Sequence, residues 1–234
     1  MLLVHSPLVG PSTLLPLAQQ LEVLGWTTVV PDLRGATSSP QEFLAATRAV
    51  GSAELVVGHS GAGAFLPSIA QDIDAGATVF VDAVLPQSDG PYLPSKDFTA
   101  LLDGLEMTDG LLPPWNEWWT PEVVAGLVPD DAMRRRIVDE IVRVPRAFYD
   151  AAIDLPPEWA SRPAGYLQLS HAYDAEATRA EQWGWPTIRL DGRHLDVTVR
   201  PEMVAGRADD LARLLLSPTT SDRRGRRPSE PPAH

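Results

Sequence analysis

The stretch that decides the fold is Val56-Val57-Gly58-His59-Ser60-Gly61-Ala62-Gly63. An apolar, β-branched run over 54–58 precedes the serine and predicts a buried strand, and residues 61–74 after it predict a helix. A serine at such a junction lies on a tight turn and projects its hydroxyl from the carboxyl end of the sheet. The free N–H groups of the following helix favour developing negative charge there. The stretch therefore predicts a nucleophile, Ser60; the alternative is a glycine-rich turn with an incidental serine.

On both sides of this stretch, short apolar runs alternate with longer segments of helical period. The predicted strands cover residues 2–5, 27–31, 54–58, 77–82, 165–170 and 187–190. The predicted helices cover residues 12–24, 40–50, 61–74, 176–183 and 201–216. Most of these strands are apolar throughout, so we expect both faces of the sheet to be buried. The predicted fold class is α/β, with a mostly parallel sheet of about six strands flanked by helices and a helical cap insertion.

Residues 86–160 break the alternation, because they contain many prolines, four of the seven tryptophans and no run typical of a strand. Within them, 130–144 predicts an amphipathic helix that begins at the N-cap Asp130 and ends at Pro145. We expect the segment to fold back over the sheet as a cap. The predicted core is formed by two parts of the chain, 1–85 and 161–216, and the predicted cap by 86–160. Residues 217–234, rich in Pro, Ser and Arg, are predicted to be a disordered tail.

Three segments resemble the α/β-hydrolase superfamily. Gly58-His59-Ser60-Gly61-Ala62 resembles its Gly-x-Ser-x-Gly nucleophile elbow, with Ala in place of the last glycine. Residues 29–35 resemble the end of its fourth strand, and His5-Ser6-Pro7-Leu8 lies where its members carry His-Gly-x-x. The resemblance covers residues 1–216, and it implies the α/β-hydrolase fold with Ser60 as nucleophile.

A serine hydroxyl needs a base to take its proton, and imidazole is the natural base at neutral pH. His194 lies between the last predicted strand and the last helix, where the resemblance places the catalytic histidine; the alternative is a solvated loop histidine. The resemblance places the acid after the preceding strand, which makes Asp174 the first choice, unless it is only a helix N-cap. Asp82, at the end of the fourth predicted strand, is the alternative acid.

The resemblance also implies an oxyanion hole with two backbone N–H donors, the first from Gly61. The second position falls on Pro7, which has no N–H, so we expect Leu8 to donate instead. A missing donor costs roughly 3–4 kcal/mol of transition-state stabilisation. Three further residues border the site and are candidates for substrate contact: His5, for which a structural role is the simpler interpretation, Ser6 and His59.

Trp115, Trp118 and Trp119 place three large aromatic rings within five residues of the predicted cap. We expect them to share a face and to form an apolar lid over Ser60, which favours a bulky hydrophobic or aromatic substrate group. The alternative is an aromatic patch that only holds the cap to the body.

Composition excludes several classes of protein. A net charge of −12 works against nucleic acid and anionic lipid, and no run approaches the ~20 apolar residues of a membrane helix. The first residues do not resemble a secretory signal, so a cytoplasmic location is expected. With no cysteine and no histidine pair at ligand spacing, we expect neither a metal nor a cofactor. The oligomeric state stays open.

The function predicted is hydrolysis of a carboxylic ester or thioester with a bulky hydrophobic group, through an acyl-enzyme on Ser60. A cyclase, acyltransferase or lyase could use the same serine and histidine, since a fold does not settle the reaction. A third alternative is a protein that binds a small hydrophobic ligand without catalysis. A protein that only binds a ligand does not need a serine, a histidine and an acid together, so the presence of all three favours an enzyme.

Overall fold

The structure, a computed structural model, describes residues 1–217, and these form a five-stranded sheet covered by helices. All neighbouring strands are parallel, and their order across the sheet is their order along the chain. They are β1 (Leu2–Val4), β2 (Leu55–Ser60), β3 (Ala77–Ala83), β4 (Ala164–Gln168) and β5 (Thr187–Arg189). The α/β class and the parallel sheet are thereby confirmed.

The strand predicted at 27–31 is reduced to an isolated bridge between Val29 and Leu2. The run lies at the edge of the sheet, where Val29 is partly exposed, and it ends at Pro31, which cannot donate a ladder hydrogen bond. The sheet of the described residues therefore has five strands instead of the six expected.

Nine α-helices lie in the described part of the chain. They are α1 (Leu15–Val23), α2 (Pro40–Arg48), α3 (Leu66–Asp72), α4 (Lys96–Asp103), α5 (Pro121–Leu127), α6 (Asp131–Asp139), α7 (Asp174–Gln182), α8 (Asp196–Val199) and α9 (Pro201–Leu216). Several begin with a proline in the first turn, where the missing N–H has no helical partner to lose. The helix predicted from residue 61 begins only at Leu66, because a 3-10 turn occupies Gly61–Ala64.

The two faces of the sheet are buried in separate apolar clusters, as the apolar strands predict. One face, which includes Val56, Phe80 and Tyr166, packs against α2, α3 and α7. The opposite face, which includes Val57 and Leu167, packs against α1, α8 and α9. Alternate residues of each strand thus point to opposite helical layers. The packing of both layers holds the strands in place, and the candidate site lies at their carboxyl ends.

Residues 86–160, called the insert below, add α4, α5 and α6 but no strand of the sheet. Asp130 caps α6 as predicted, since its carboxylate accepts a hydrogen bond from the Met133 N–H at 2.7 Å. The helix ends at Asp139, however, and does not continue to residue 144. The chain turns back there, and the Val144 carbonyl accepts a hydrogen bond from another part of the insert. The division into core and cap stays a prediction.

Of the tail predicted at 217–234, only Ser217 lies within the described residues. No helix over residues 1–217 is both long enough and apolar enough to cross a membrane. The same residues contain no group of three or more His, Asp or Glu side chains that could hold a metal ion.

Candidate active site

Ser60 ends β2 in a backbone conformation that non-glycine residues rarely adopt. Its φ is 59° and its ψ is −131°, and the pairing of β2 with β3 shifts register between His59 and Ser60. Such strain persists only where the surrounding structure enforces it, and it is common at functional sites. The strand, the sharp turn and the helix that follow one another here are the context that a nucleophile elbow requires.

The small residues around Ser60 are required by close packing. A Cβ atom on Gly63 would lie 1.9 Å from the Val84 carbonyl oxygen, a backbone atom that cannot move aside. A Cβ on Gly58 would lie 2.6 Å from the Leu66 side chain. Ala62, which replaces the last glycine of the elbow pattern, is fully buried. The elbow pattern thus tolerates Ala62, whereas a side chain at the next residue, Gly63, would collide with the backbone.

Gly63→Ala is expected to lower the free energy of unfolding by about 3 kcal/mol, because the new methyl group would force β3 and the elbow apart. Gly206→Ala is the matched control: no atom lies within 4 Å of its Cβ, and the site is inside α9. There the same change is expected to stabilise by about 0.5–1 kcal/mol. Urea unfolding of both variants measures the difference, and similar stabilities would contradict the packing argument.

His194 is paired with Asp82. The His194 Nδ1 lies 2.8 Å from Asp82 Oδ2, and the Asp82 side chain is fully buried. The same carboxylate accepts hydrogen bonds from the N–H groups of Leu169 and Ser170 and from the Ser170 hydroxyl, at 2.7–2.9 Å. Burial by itself raises the pKa of Asp82, but hydrogen bonds from His194 and Ser170 outweigh it, so its pKa lies below the ordinary value. Asp82 is therefore an ionised acceptor for the Nδ1–H of His194.

The expectation that Asp174 pairs with His194 is not met. Asp174 is exposed at the start of α7, where its carboxylate accepts a hydrogen bond from Gln168 and lies 3.4 Å from His171 Nδ1. A 3-10 turn over His171–Tyr173 carries the chain past the sheet edge before Asp174 is reached. The alternative acid, Asp82, meets His194 because β3 lies between β2 and β4, in the middle of the sheet.

Two aromatic rings pack against the His194 imidazole. The ring of Tyr173 is stacked on it at 5.2 Å between centroids and 15° between planes, and the ring of His59 at 4.5 Å and 27°. The Tyr173 hydroxyl lies near the Ser60 side chain, and burial, the larger influence, raises the pKa of Tyr173, so the hydroxyl stays protonated. Tyr173 was not among the residues predicted from sequence, although it follows the strand after which the resemblance places the acid.

His5 and His59, two candidates for substrate contact, are buried, and their rings are hydrogen-bonded to the backbone. His5 is fully buried, its Nε2 accepts a hydrogen bond from the Leu33 N–H at 3.1 Å, and its Nδ1–H donates to the Ser6 carbonyl at 2.8 Å. His59 is buried and donates from Nε2 to the His194 carbonyl at 2.9 Å. Burial lowers the pKa of both, that of His59 to about 3. His59 therefore supports the loop that carries His194 as a neutral ring.

The loop after β1 packs directly against the elbow. The Ser6 side chain is buried, and a Cβ on Gly61 would lie 3.1 Å from its Oγ. The Leu8 N–H is directed at the same Oγ, at 3.4 Å. Leu8, expected as the second oxyanion donor, thus has its N–H engaged by Ser6.

Trp115, Trp118 and Trp119, three of the four tryptophans of the insert, do not share one face. Trp115 packs against a small cluster that contains Leu195, the neighbour of His194. Trp118 donates its indole N–H to the Pro113 carbonyl at 2.8 Å, and Trp119 is 41% exposed. A tight 3-10 turn over Trp115–Glu117 replaces the expected α-helix, so the three side chains point in different directions. Only Trp115 is brought to the loop that carries His194.

Solved structures of similar fold identify the architecture. An extracellular α/β-hydrolase from a Paenibacillus species is 19% identical, covers 92% of this chain and 97% of its own, and has a TM-score of 0.68. A pyrethroid hydrolase from Sphingobium faniae is 18% identical over 90% of this chain and 96% of its own, with a TM-score of 0.69. This protein has the α/β-hydrolase fold. Tomato methylketone synthase I also shares it, at 11% identity, 92% and 97% coverage, and a TM-score of 0.68.

No family model matches the sequence, and no curated protein matches it either. The likeness to solved structures therefore shows the fold, and the reaction has to be argued from the site.

Proposed function

We propose that the protein is a serine hydrolase that cleaves a carboxylic ester or thioester carrying a bulky hydrophobic group. The observation that carries the proposal is the 2.8 Å contact between His194 Nδ1 and a buried, ionised Asp82. The His194 ring is stacked on His59, the residue before Ser60 on its strained turn. With Nδ1 donating to Asp82, the lone pair of His194 is on Nε2, which is the tautomer a general base needs.

In the proposed reaction, the Ser60 Oγ attacks the carbonyl carbon while His194 Nε2 takes the hydroxyl proton. The tetrahedral intermediate collapses as the bond to the alcohol or thiol breaks, and His194 returns the proton to that leaving group. Water then attacks the acyl-enzyme with His194 again as base, and the acid leaves with Ser60 restored. Asp82 stabilises the imidazolium formed in both steps, and the stacked face of Tyr173 adds a favourable cation–π contribution.

Two features support a neutral, bulky substrate. The net charge of −12 disfavours anionic molecules, and Trp115 with its apolar cluster lies beside the His194 loop. One protein of the same fold is a pyrethroid hydrolase, which supports hydrolysis as the reaction type.

A lyase or another non-hydrolytic enzyme is the second candidate, and Pro7 is the observation that favours it. This residue removes a backbone donor that would stabilise the oxyanion of ester cleavage. Another protein of the same fold is a methylketone synthase, so the architecture is not confined to hydrolases.

A fluorophosphonate reagent tests the proposal without a known substrate, because it reacts only with an activated serine. We expect one adduct, on Ser60, and none in Ser60→Ala or His194→Ala. His171→Ala is the matched control, since His171 is exposed and away from Ser60; it should be labelled like the wild type. Peptide mass spectrometry locates the adduct. Folded wild-type protein that is unlabelled, or labelled elsewhere, would contradict the proposal and favour a ligand-binding or non-hydrolytic role.

A further inference from the structure

Ester cleavage at Ser60 needs two hydrogen-bond donors for the oxyanion, and the following inference rests on that proposed function. The Gly61 N–H, next to the nucleophile, is the first donor. The second has to come from the loop after β1, which packs against Gly61.

The two residues at the expected position have no free backbone N–H. Pro7 has no N–H. The Leu8 N–H is turned toward the Ser6 Oγ, 3.4 Å away, and Leu8 itself is buried. Neither residue therefore offers a free N–H, and the Ser6 side chain is the polar group that lies against Gly61.

We propose that the Ser6 hydroxyl is the second donor of the oxyanion hole. Its Oγ accepts from the Leu8 N–H, and among residues 1–217 its own hydrogen has no acceptor. The side chain is only 3% exposed, and its Oγ lies 3.1 Å from where a Cβ of Gly61 would be. The hydroxyl hydrogen is thus free to point into the space next to the Gly61 N–H, where the substrate oxygen gains charge.

The surroundings hold Ser6 in place before substrate binds. Its carbonyl accepts hydrogen bonds from His5 Nδ1 at 2.8 Å and from the Val9 N–H at 3.2 Å, which fixes the backbone of the residue. The Leu8 N–H occupies a lone pair of the hydroxyl and polarises its O–H bond, so that the donor is strengthened. A preorganised donor of this kind needs no rearrangement when charge develops.

Tyr173 is the other hydroxyl near Ser60, and its position gives it a different role. Its ring is stacked on His194, so it lies on the side of the base and the leaving group. Ser6 lies against Gly61, on the side of the oxyanion. The two hydroxyls therefore do not compete for the same charge.

The test compares hydroxyl with methyl at position 6. Ser6→Thr and Ser6→Val have nearly the same shape and differ in the hydroxyl, and Ser6→Ala removes it outright. We expect Ser6→Ala and Ser6→Val to lower the fluorophosphonate labelling rate of Ser60, and kcat on an ester, by about 10²–10³-fold with KM little changed. Ser6→Thr should retain most of both. Ser12→Ala is the control in the same loop, because that hydroxyl binds Glu140 outside the site.

The outcomes separate the two proposals. Wild-type labelling rates in folded Ser6→Ala, or equal losses in the Thr and Val variants, would overturn the role of Ser6 and leave Ser60 as the nucleophile. If Ser6→Ala fails to fold, the Thr and Val pair still decides. No labelling of Ser60 in the wild type would overturn the hydrolase proposal and the oxyanion hole with it.

Discussion

Asp82→Asn is expected to lower kcat on an ester substrate by about 10⁴-fold, whereas Asp174→Asn leaves it close to the wild-type value. In the wild type, Asp82 accepts the Nδ1–H of His194 at 2.8 Å. An amide there can present its NH₂ group to Nδ1, which places the imidazole proton on Nε2 and removes the lone pair that takes the Ser60 proton. Asp174 is exposed and contacts Gln168 and His171 instead, so the same change should not reach His194.

The two variants are a matched pair, because both replace a carboxylate by an amide, one near the end of β3 and one at the start of α7. Steady-state kinetics gives the ranking, and thermal unfolding excludes a collapsed site, since Asp82 also binds Leu169 and Ser170. A larger loss in Asp174→Asn would return the acid to the segment after β4.

Acid unfolding is a second measurement that distinguishes Asp82→Asn from the wild type. The pKa of Asp82 in the folded protein is lowered from its ordinary value of 3.8. A lowered native pKa stabilises the fold fully above the unfolded value, and this contribution is lost as the pH falls through the native pKa. The wild type should therefore lose stability below about pH 4 more steeply than Asp82→Asn.

The elbow could be predicted from sequence because its determinants are local. Small residues around Ser60, between a strand and a helix, specify the turn without knowledge of the rest of the fold. The place of His194 followed from chain order. The carboxylate that contacts His194 could not be predicted, because the ends of β3 and β4 meet at one edge of the sheet. Sequence order alone does not say which of the two faces the histidine. One signal was available: Asp82 is the single charged residue of the mostly apolar strand β3, and a buried charge is stable only with partners.

Other departures have the same non-local origin. The predicted helix over 130–144 stops at Asp139 because its last residues turn back to pair within the insert, which overrides their helical period. The tryptophans were expected on one helical face, but a 3-10 turn directs Trp119 to solvent. The Leu8 N–H could not be assigned from sequence, since its direction depends on the neighbouring Ser6 rotamer.

Removing Ser60 and His194 together is expected to cost no more than removing either one. Each single alanine variant should lower kcat on the order of 10⁶-fold, and the double variant should have the same residual rate. Without the base the serine is a weak nucleophile, and without the serine the base has no hydroxyl to deprotonate. What remains is catalysis by the oxyanion hole and by substrate binding, which neither change touches.

The measurement is a double-mutant cycle on kcat, with a fluorophosphonate titration to exclude traces of wild-type enzyme. Ser68→Ala and His171→Ala are the matched controls, because the Ser68 hydroxyl donates to the Asp154 carbonyl and the exposed His171 pairs with Asp174. Their single and combined effects should be near zero. If the losses for Ser60 and His194 instead multiply, the two residues act in separate steps. Such an outcome would contradict the role of His194 as the base that takes the Ser60 proton.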